Sequence, residues 1–86
     1  MKQLTIYQKD YCPYCKAAKQ LLRKQGFKFR TIEVSNNPVA FAQMVKLSNR
    51  RTVPQIFVDD IHIGGFDNLQ SNLKRKKFPF EHLKTA

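Results

Sequence analysis

No cysteine follows Cys15 in this chain of 86 residues, and Cys12 is the only other one. The pair therefore has no disulfide partner elsewhere, which excludes a cystine framework as the source of stability. No apolar run approaches the ~20 residues that a membrane-spanning helix needs. The stretch from Met1 to Tyr7 is too short and too polar for the apolar region of a secretion signal. These absences are those expected of an intracellular, cytoplasmic protein with no membrane partner. Repeats, low-complexity segments and linkers are missing too, which points to one domain over residues 1–86. That length is close to the lower size at which an unassisted core is comfortable. Acidic residues are scarce: 6 Asp and Glu stand against 16 Lys and Arg, for a net charge of +10.

What is present begins with Cys12-Pro13-Tyr14-Cys15. Two thiols at this spacing can bridge each other, share a metal or sit inert. Their surroundings favour the bridge. Leu4 to Gln8 alternates apolar and polar and reads as a strand, and Lys16 to Gln25 reads as a helix. A Cys-x-x-Cys at a strand-to-helix junction is a thioredoxin-like redox arrangement. Pro13 suits the first helical position, where its missing N–H costs nothing. Cys12 then takes the N-cap, facing unsatisfied N–H groups and the positive end of the helix dipole. Lys9 and Lys16 add positive charge against one acid, Asp10. This setting favours the thiolate of Cys12, the form that attacks. Cys15 lies one turn deeper, and its expected role is to resolve what Cys12 has attacked. A structural zinc site would need two further ligands, and His62 and His82 show no ligand spacing, so no metal is expected.

The basic charge suggests an anionic small molecule or acidic partner. The one dense run is Lys74-Arg75-Lys76-Lys77. Helix-turn-helix, RNA-binding aromatic and zinc-finger patterns are absent, so no specific nucleic acid is expected beyond weak, salt-sensitive adsorption. Further along, Pro13 to Gln25 forms the first helix, with Ala18, Leu21 and Leu22 inward and Gly26 as its stop. Phe27 to Val34 reads as strand two. Asn37 caps a helix that Pro38 opens and that runs to about Ser48, with Phe41, Met44 and Val45 inward. Gln55 to Asp59 is strand three, Asp59-Asp60 a turn, and Ile61 to Gly64 strand four. Asp67 is the expected N-cap of a helix from Asn68 to Arg75, and Pro79 opens a short last helix carrying Leu83. The order βαβαββα implies an α/β fold with one four-stranded mixed sheet flanked by helices on both faces.

Two further loops complete a pattern. Thr52-Val53-Pro54 precedes strand three, and Gly64-Gly65-Phe66-Asp67 leads into the third helix. Together with Cys12-Pro13-Tyr14-Cys15, in that order, they closely resemble the dithiol glutaredoxins in their small bacterial form, across essentially the whole chain. Thioredoxins carry Gly-Pro between their cysteines and a Trp before them, and this chain has no Trp. The resemblance implies a thioredoxin-like, glutaredoxin-type fold and a cis bond at Pro54. It also implies a glutathione-dependent thiol–disulfide oxidoreductase with Cys12 as nucleophile and Cys15 as resolving thiol. Glutathione is then the co-substrate, held by Lys9, Tyr14, Arg51, Thr52, Val53, Pro54, Gly65, Phe66 and Asp67. Lys9 and Arg51 would meet the glycine carboxylate, Val53 the cysteine backbone, and the N-terminus of the third helix with Asp67 the γ-glutamyl end. Disulfide-containing and glutathionylated proteins are the implied substrates, ribonucleotide reductase among them, and the implied state is a monomer. Two positions depart from the pattern. Phe66 stands where Cys or a small or polar residue is frequent, and Asn68 where Asp is frequent. The Lys74 to Lys77 run is not a signature of the family.

Overall fold

The computed structural model describes residues 3–75. Its elements are β1 (Leu4–Gln8), α1 (Pro13–Lys24), β2 (Arg30–Glu33), α2 (Pro38–Ser48), β3 (Gln55–Val58), β4 (Ile61–Gly64) and α3 (Phe66–Arg75). The strands form one sheet in the order β2-β1-β3-β4. β1 runs parallel to β2 and antiparallel to β3, and β3 and β4 form an antiparallel hairpin. The expected βαβαββα order and mixed sheet are what the chain adopts.

Strand alternation divides the core between the two faces of the sheet. Leu4, Ile6, Ile56 and Val58 pack with Ala18 and Leu22 of α1 and Leu69 and Leu73 of α3. Tyr7 and Phe57 turn the other way, onto Ala40 and Met44 of α2 and onto Val34. β3 is therefore covered on both sides, which is why Ile56-Phe57-Val58 reads as an unbroken apolar run. Each fully buried Leu or Ile contributes about 1.5–3 kcal/mol. In α2 only Met44 of the expected inward trio is buried, while Phe41 and Val45 are half-buried.

Four expected boundaries move, each for a local reason. α1 ends at Lys24 with Gln25 as its cap. The Gly26 N–H then donates to Arg23 O at 2.9 Å, the Phe27 N–H donates to Leu22 O at 3.0 Å, and Gly26 takes φ 81°. These two bonds make a Schellman motif, which needs a left-handed residue at Gly26. The motif also explains the second shift. The Phe27 N–H is committed to the helix end and Phe27 keeps only an isolated bridge, while the β2 ladder begins at Arg30 and stops at Glu33. β3 stops at Val58, because Asp59 swings to φ 53° in the hairpin turn. Finally, α3 starts at Phe66 and not at Asn68. Its first bond runs from the Leu69 N–H to Gly65 O at 3.0 Å, so Gly65 holds the cap position and Asp67 lies inside the first turn. Asn68 Oδ1 accepts the Gly65 N–H at 3.1 Å, the reach-back half of a capping box, which makes a cap from Asp67 unnecessary. The expected helix at Pro79 with Leu83, and Lys76, Lys77 and His82, lie outside the described residues.

Candidate active site

The turn between β1 and α1 places Cys12 at the N-cap with extended backbone, φ −97° and ψ 114°, and Pro13 follows in the first turn. The Cys12 sulfur accepts the Cys15 backbone N–H at 3.1 Å. A cap sulfur thus takes the place of a Ser or Asp oxygen. No acidic residue sits in that first turn. Asp10, the acid closest in sequence, is drawn elsewhere. Its carboxyl shares a hydrogen bond with Glu33, and that bond and the like charge push it upward from the usual carboxylate range.

The two thiols differ sharply. Both are free, with Cys12 half-buried and Cys15 buried at 0% exposure. Burial, followed by the hydrogen bond with Cys12, pushes the Cys15 thiol from 9.0 up to about 12. Cys15 is therefore protonated at neutral pH, and the sulfur that a substrate can reach is that of Cys12.

The Cys12 Sγ lies 3.9 Å from Val53 O, which brings the second loop against the thiol. The Val53–Pro54 peptide is cis. Beside it opens a groove of about 300 Å³ that contains seven of the expected ligand-binding positions: Tyr14, Thr52, Val53, Pro54, Gly65, Phe66 and Asp67. The Tyr14 and Phe66 rings stand 5.9 Å apart within it. Lys9 and Arg51 are not in this groove. Lys9 lines a neighbouring cavity of about 460 Å³ with Asn37 and Phe41. The Arg51 guanidinium lies over the Phe41 ring at 5.5 Å, and Phe41 also lines the Lys9 cavity.

Three residues that line the groove were not among the expected ligand-binding positions: Arg50, Gln55 and Asn68. Gln55 could have been found, because it falls in phase with Phe57 on a strand buried on both faces. It is 1% exposed, and its Nε2 donates to Thr52 O at 3.0 Å and to Thr52 Oγ1 at 3.2 Å. Its Oε1 then accepts from His62 Nε2 at 2.7 Å, which fixes the proton on that ring nitrogen. Burial, and next the Arg50 charge, lower the His62 pKa. The loop that presents Val53 and Pro54 is thus tied to β4 by a closed polar chain. Among the described residues no group of three or more His, Cys, Asp or Glu could hold a metal ion. No described helix is long and apolar enough to cross a membrane.

A half-buried thiol beside a buried, protonated one, on a four-stranded mixed sheet, defines a thioredoxin-fold dithiol protein. Comparison with known proteins narrows this. The glutaredoxin family model matches residues 4–63. Glutaredoxin 3 of Escherichia coli K12 is 46% identical over 69 residues, covering 80% of this chain and 83% of its own. Glutaredoxin of Neisseria meningitidis serogroup B is 46% identical over 70 residues, with 80% and 82% covered. Among solved structures, the buckwheat glutaredoxin–glutathione complex superposes with TM-score 0.79 at 30% identity, over 88% of this chain and 72% of that one. Glutaredoxin from Brucella melitensis gives 0.74 at 40% identity, over 85% and 79%. The chain belongs to the glutaredoxin family and is an oxidoreductase of thiols and disulfides.

Proposed function

We propose that this chain reduces protein disulfides and protein–glutathione mixed disulfides, with glutathione as the electron donor. The observation that carries the reading is the Cys12 sulfur at a helix N-cap, 3.1 Å from the Cys15 N–H, beside a groove lined by Val53, Pro54, Phe66 and Asp67. The fold similarity to a glutaredoxin solved with glutathione supports it. Glutathione is an extended peptide with a carboxylate at one end and an α-amino acid zwitterion at the other. The Val53 backbone pairs with its cysteine. Lys9 and Arg51 take the glycine carboxylate, and Asp67 with the α3 N-terminus takes the γ-glutamyl end.

On a glutathionylated protein, the Cys12 thiolate attacks the glutathione sulfur. The mixed disulfide breaks, and the protein leaves as a thiolate that takes up a proton. A second glutathione thiolate attacks the Cys12-bound glutathione, regenerating the Cys12 thiolate and releasing oxidised glutathione. On a protein disulfide, Cys12 forms the mixed disulfide. Cys15 then loses its proton, attacks the Cys12 sulfur and expels the second protein thiol. Its high pKa disfavours this attack, and its fixed position at high effective concentration compensates. Two glutathiones reduce the resulting Cys12–Cys15 bond. A monomer acting in the cytoplasm, on disulfide proteins such as ribonucleotide reductase, fits this cycle.

The test is a glutathione reductase- and NADPH-coupled assay on a small mixed disulfide and on a protein disulfide. Cys12→Ser is expected to abolish both activities. Cys15→Ser is expected to keep most deglutathionylation and lose most protein disulfide reduction. Equal loss of both in a folded Cys15→Ser protein would overturn the assignment of Cys15, and no turnover by the unaltered chain would overturn the glutathione reading itself.

A further inference from the structure

Arg50 and Arg51 are adjacent in sequence but serve different sides of their loop. Arg51 lies over Phe41, the ring that also borders the Lys9 cavity. Arg50 lines the groove with Asp67 and Asn68. Its backbone is pinned where the chain leaves α2. Asn49 takes the left-handed φ of 59°, and the Arg50 N–H donates to Ser48 Oγ at 3.1 Å. Its side chain is steadied as well, with Nη1 donating to Asn68 Oδ1 at 3.3 Å.

Asn68 is held in turn. Its Oδ1 accepts the Gly65 N–H at 3.1 Å, and Gly64, at φ 122°, leaves space that a Cβ would take from the Asn68 side chain. The Gly65 donor fixes which amide atom is oxygen, so Nδ2 is the outward donor; it bonds to no acceptor among the described residues. A neutral partner steadies Arg50 without cancelling its charge. An aspartate at position 68 would form an ion pair with it instead.

The α3 end of the groove therefore offers one carboxylate, Asp67, and one guanidinium, Arg50. Opposite charges side by side match the amine and carboxylate of an α-amino acid. The Phe41 end offers only cations, Lys9 and Arg51, which match a lone carboxylate. We infer that Arg50, positioned by Asn68, is a specificity-determining residue that binds the α-carboxylate of the γ-glutamyl group. The two consecutive arginines then read the two carboxylate ends of one peptide. This inference rests on the glutathione reading above.

The test measures apparent KM and kcat for three thiols in unaltered protein, Arg50→Ala, Arg51→Ala and Asn68→Asp. The thiols are glutathione, its glycine ethyl ester, and the analogue in which 4-aminobutanoyl replaces γ-glutamyl, losing only the α-carboxylate. Loss of one charge-assisted hydrogen bond at an exposed site corresponds to about a tenfold rise in KM. Arg50→Ala is expected to show that rise for glutathione and the ester, and a change within about twofold for the 4-aminobutanoyl analogue. Arg51→Ala is expected to show the crossed pattern, with its penalty lost on the ester. Asn68→Asp should follow Arg50→Ala while keeping the helix cap. An Arg50→Ala penalty that is equal for all three thiols, or absent for all three, overturns the inference. If unaltered protein uses glutathione and the Arg50→Ala arm fails, only the assignment of Arg50 falls. If unaltered protein uses none of the three, the glutathione reading falls with it.

Discussion

Alkylation of the reduced protein at pH 7 should be slower at Cys15 than at a free thiol by a factor that the structure sets. The Cys15 thiol is pushed from 9.0 to about 12, chiefly by burial and then by its hydrogen bond with Cys12. Three units at pH 7 leave about a thousandfold less thiolate than an ordinary cysteine holds. Part of that deficit returns, because a more basic thiolate is a better nucleophile. A Brønsted slope of 0.4–0.5 restores about twentyfold, leaving Cys15 about fiftyfold slower than a free thiol. At 0% exposure the reagent must also wait for a local opening, so fiftyfold is a lower bound. Iodoacetamide time courses, quenched and read at each cysteine by peptide mass spectrometry, measure both rates in one sample. Cys12→Ala removes the hydrogen bond but not the burial, so Cys15 in that variant should speed up and still lag a free thiol. If Cys15 in the unaltered protein reacts within a few-fold of a free thiol at pH 7, burial does not protect it. The division of labour between the two sulfurs would then need another cause.

The same thiol makes stability depend on pH. A folded-state pKa near 12 against 9.0 means that the folded chain binds more protons than the unfolded chain between those values. The Cys15 contribution is thus full below pH 9.0 and is lost as the pH rises through 12, so the urea midpoint should fall across that window. Cys15→Ser should flatten the fall relative to the unaltered protein, and equal slopes would exclude Cys15 as the source. Gly64→Ala should cost about 1–3 kcal/mol, because alanine is strained at φ 122° and its Cβ meets Asn68. A thermal melt unchanged by that substitution would show that the β4–α3 turn tolerates a side chain.

The fold was legible because its punctuation is chemical. Pro13, Pro38 and Asn37 mark helix starts, and Gly26 marks a helix end. The opposite phases of Ile6 and Tyr7, or of Ile56 and Phe57, show a sheet covered on both sides. What failed was competition between neighbouring elements for the same backbone group. Nothing in the Phe27 to Val34 pattern tells that the Phe27 N–H is taken by α1, because a Schellman bond is decided by the helix before it. Asp67 looked like a cap because Asp is a good one. The cap position went to Gly65 because Asn68 could reach back to its N–H. At the site, the two cysteines and the loops facing them were visible as motifs. The separation of Arg50 from Arg51 was not. Which side of a loop each side chain takes depends on the turn that Asn49 makes, and no periodicity in the sequence reports a single left-handed residue.

On that proposal, the separation also gives a role to the buried polar residues at the two ends of the loop. On the proposed reading, a peptide held at both ends must bring its sulfur to Cys12, so the spacing between Arg50 and Arg51 has to be rigid. Ser48 fixes the start of the loop through Arg50, at 3.1 Å, while its hydroxyl donates into Met44 O at 2.7 Å. Gln55 fixes the end through Thr52 on one side and His62 on the other. Both anchors are buried, at 6% and 1% exposure, where hydrogen bonds are strong and a lost partner is costly. The segment between them carries both arginines, Thr52, Val53 and Pro54. It is a loop with buried ends, and its reach is therefore set by the sheet and α2.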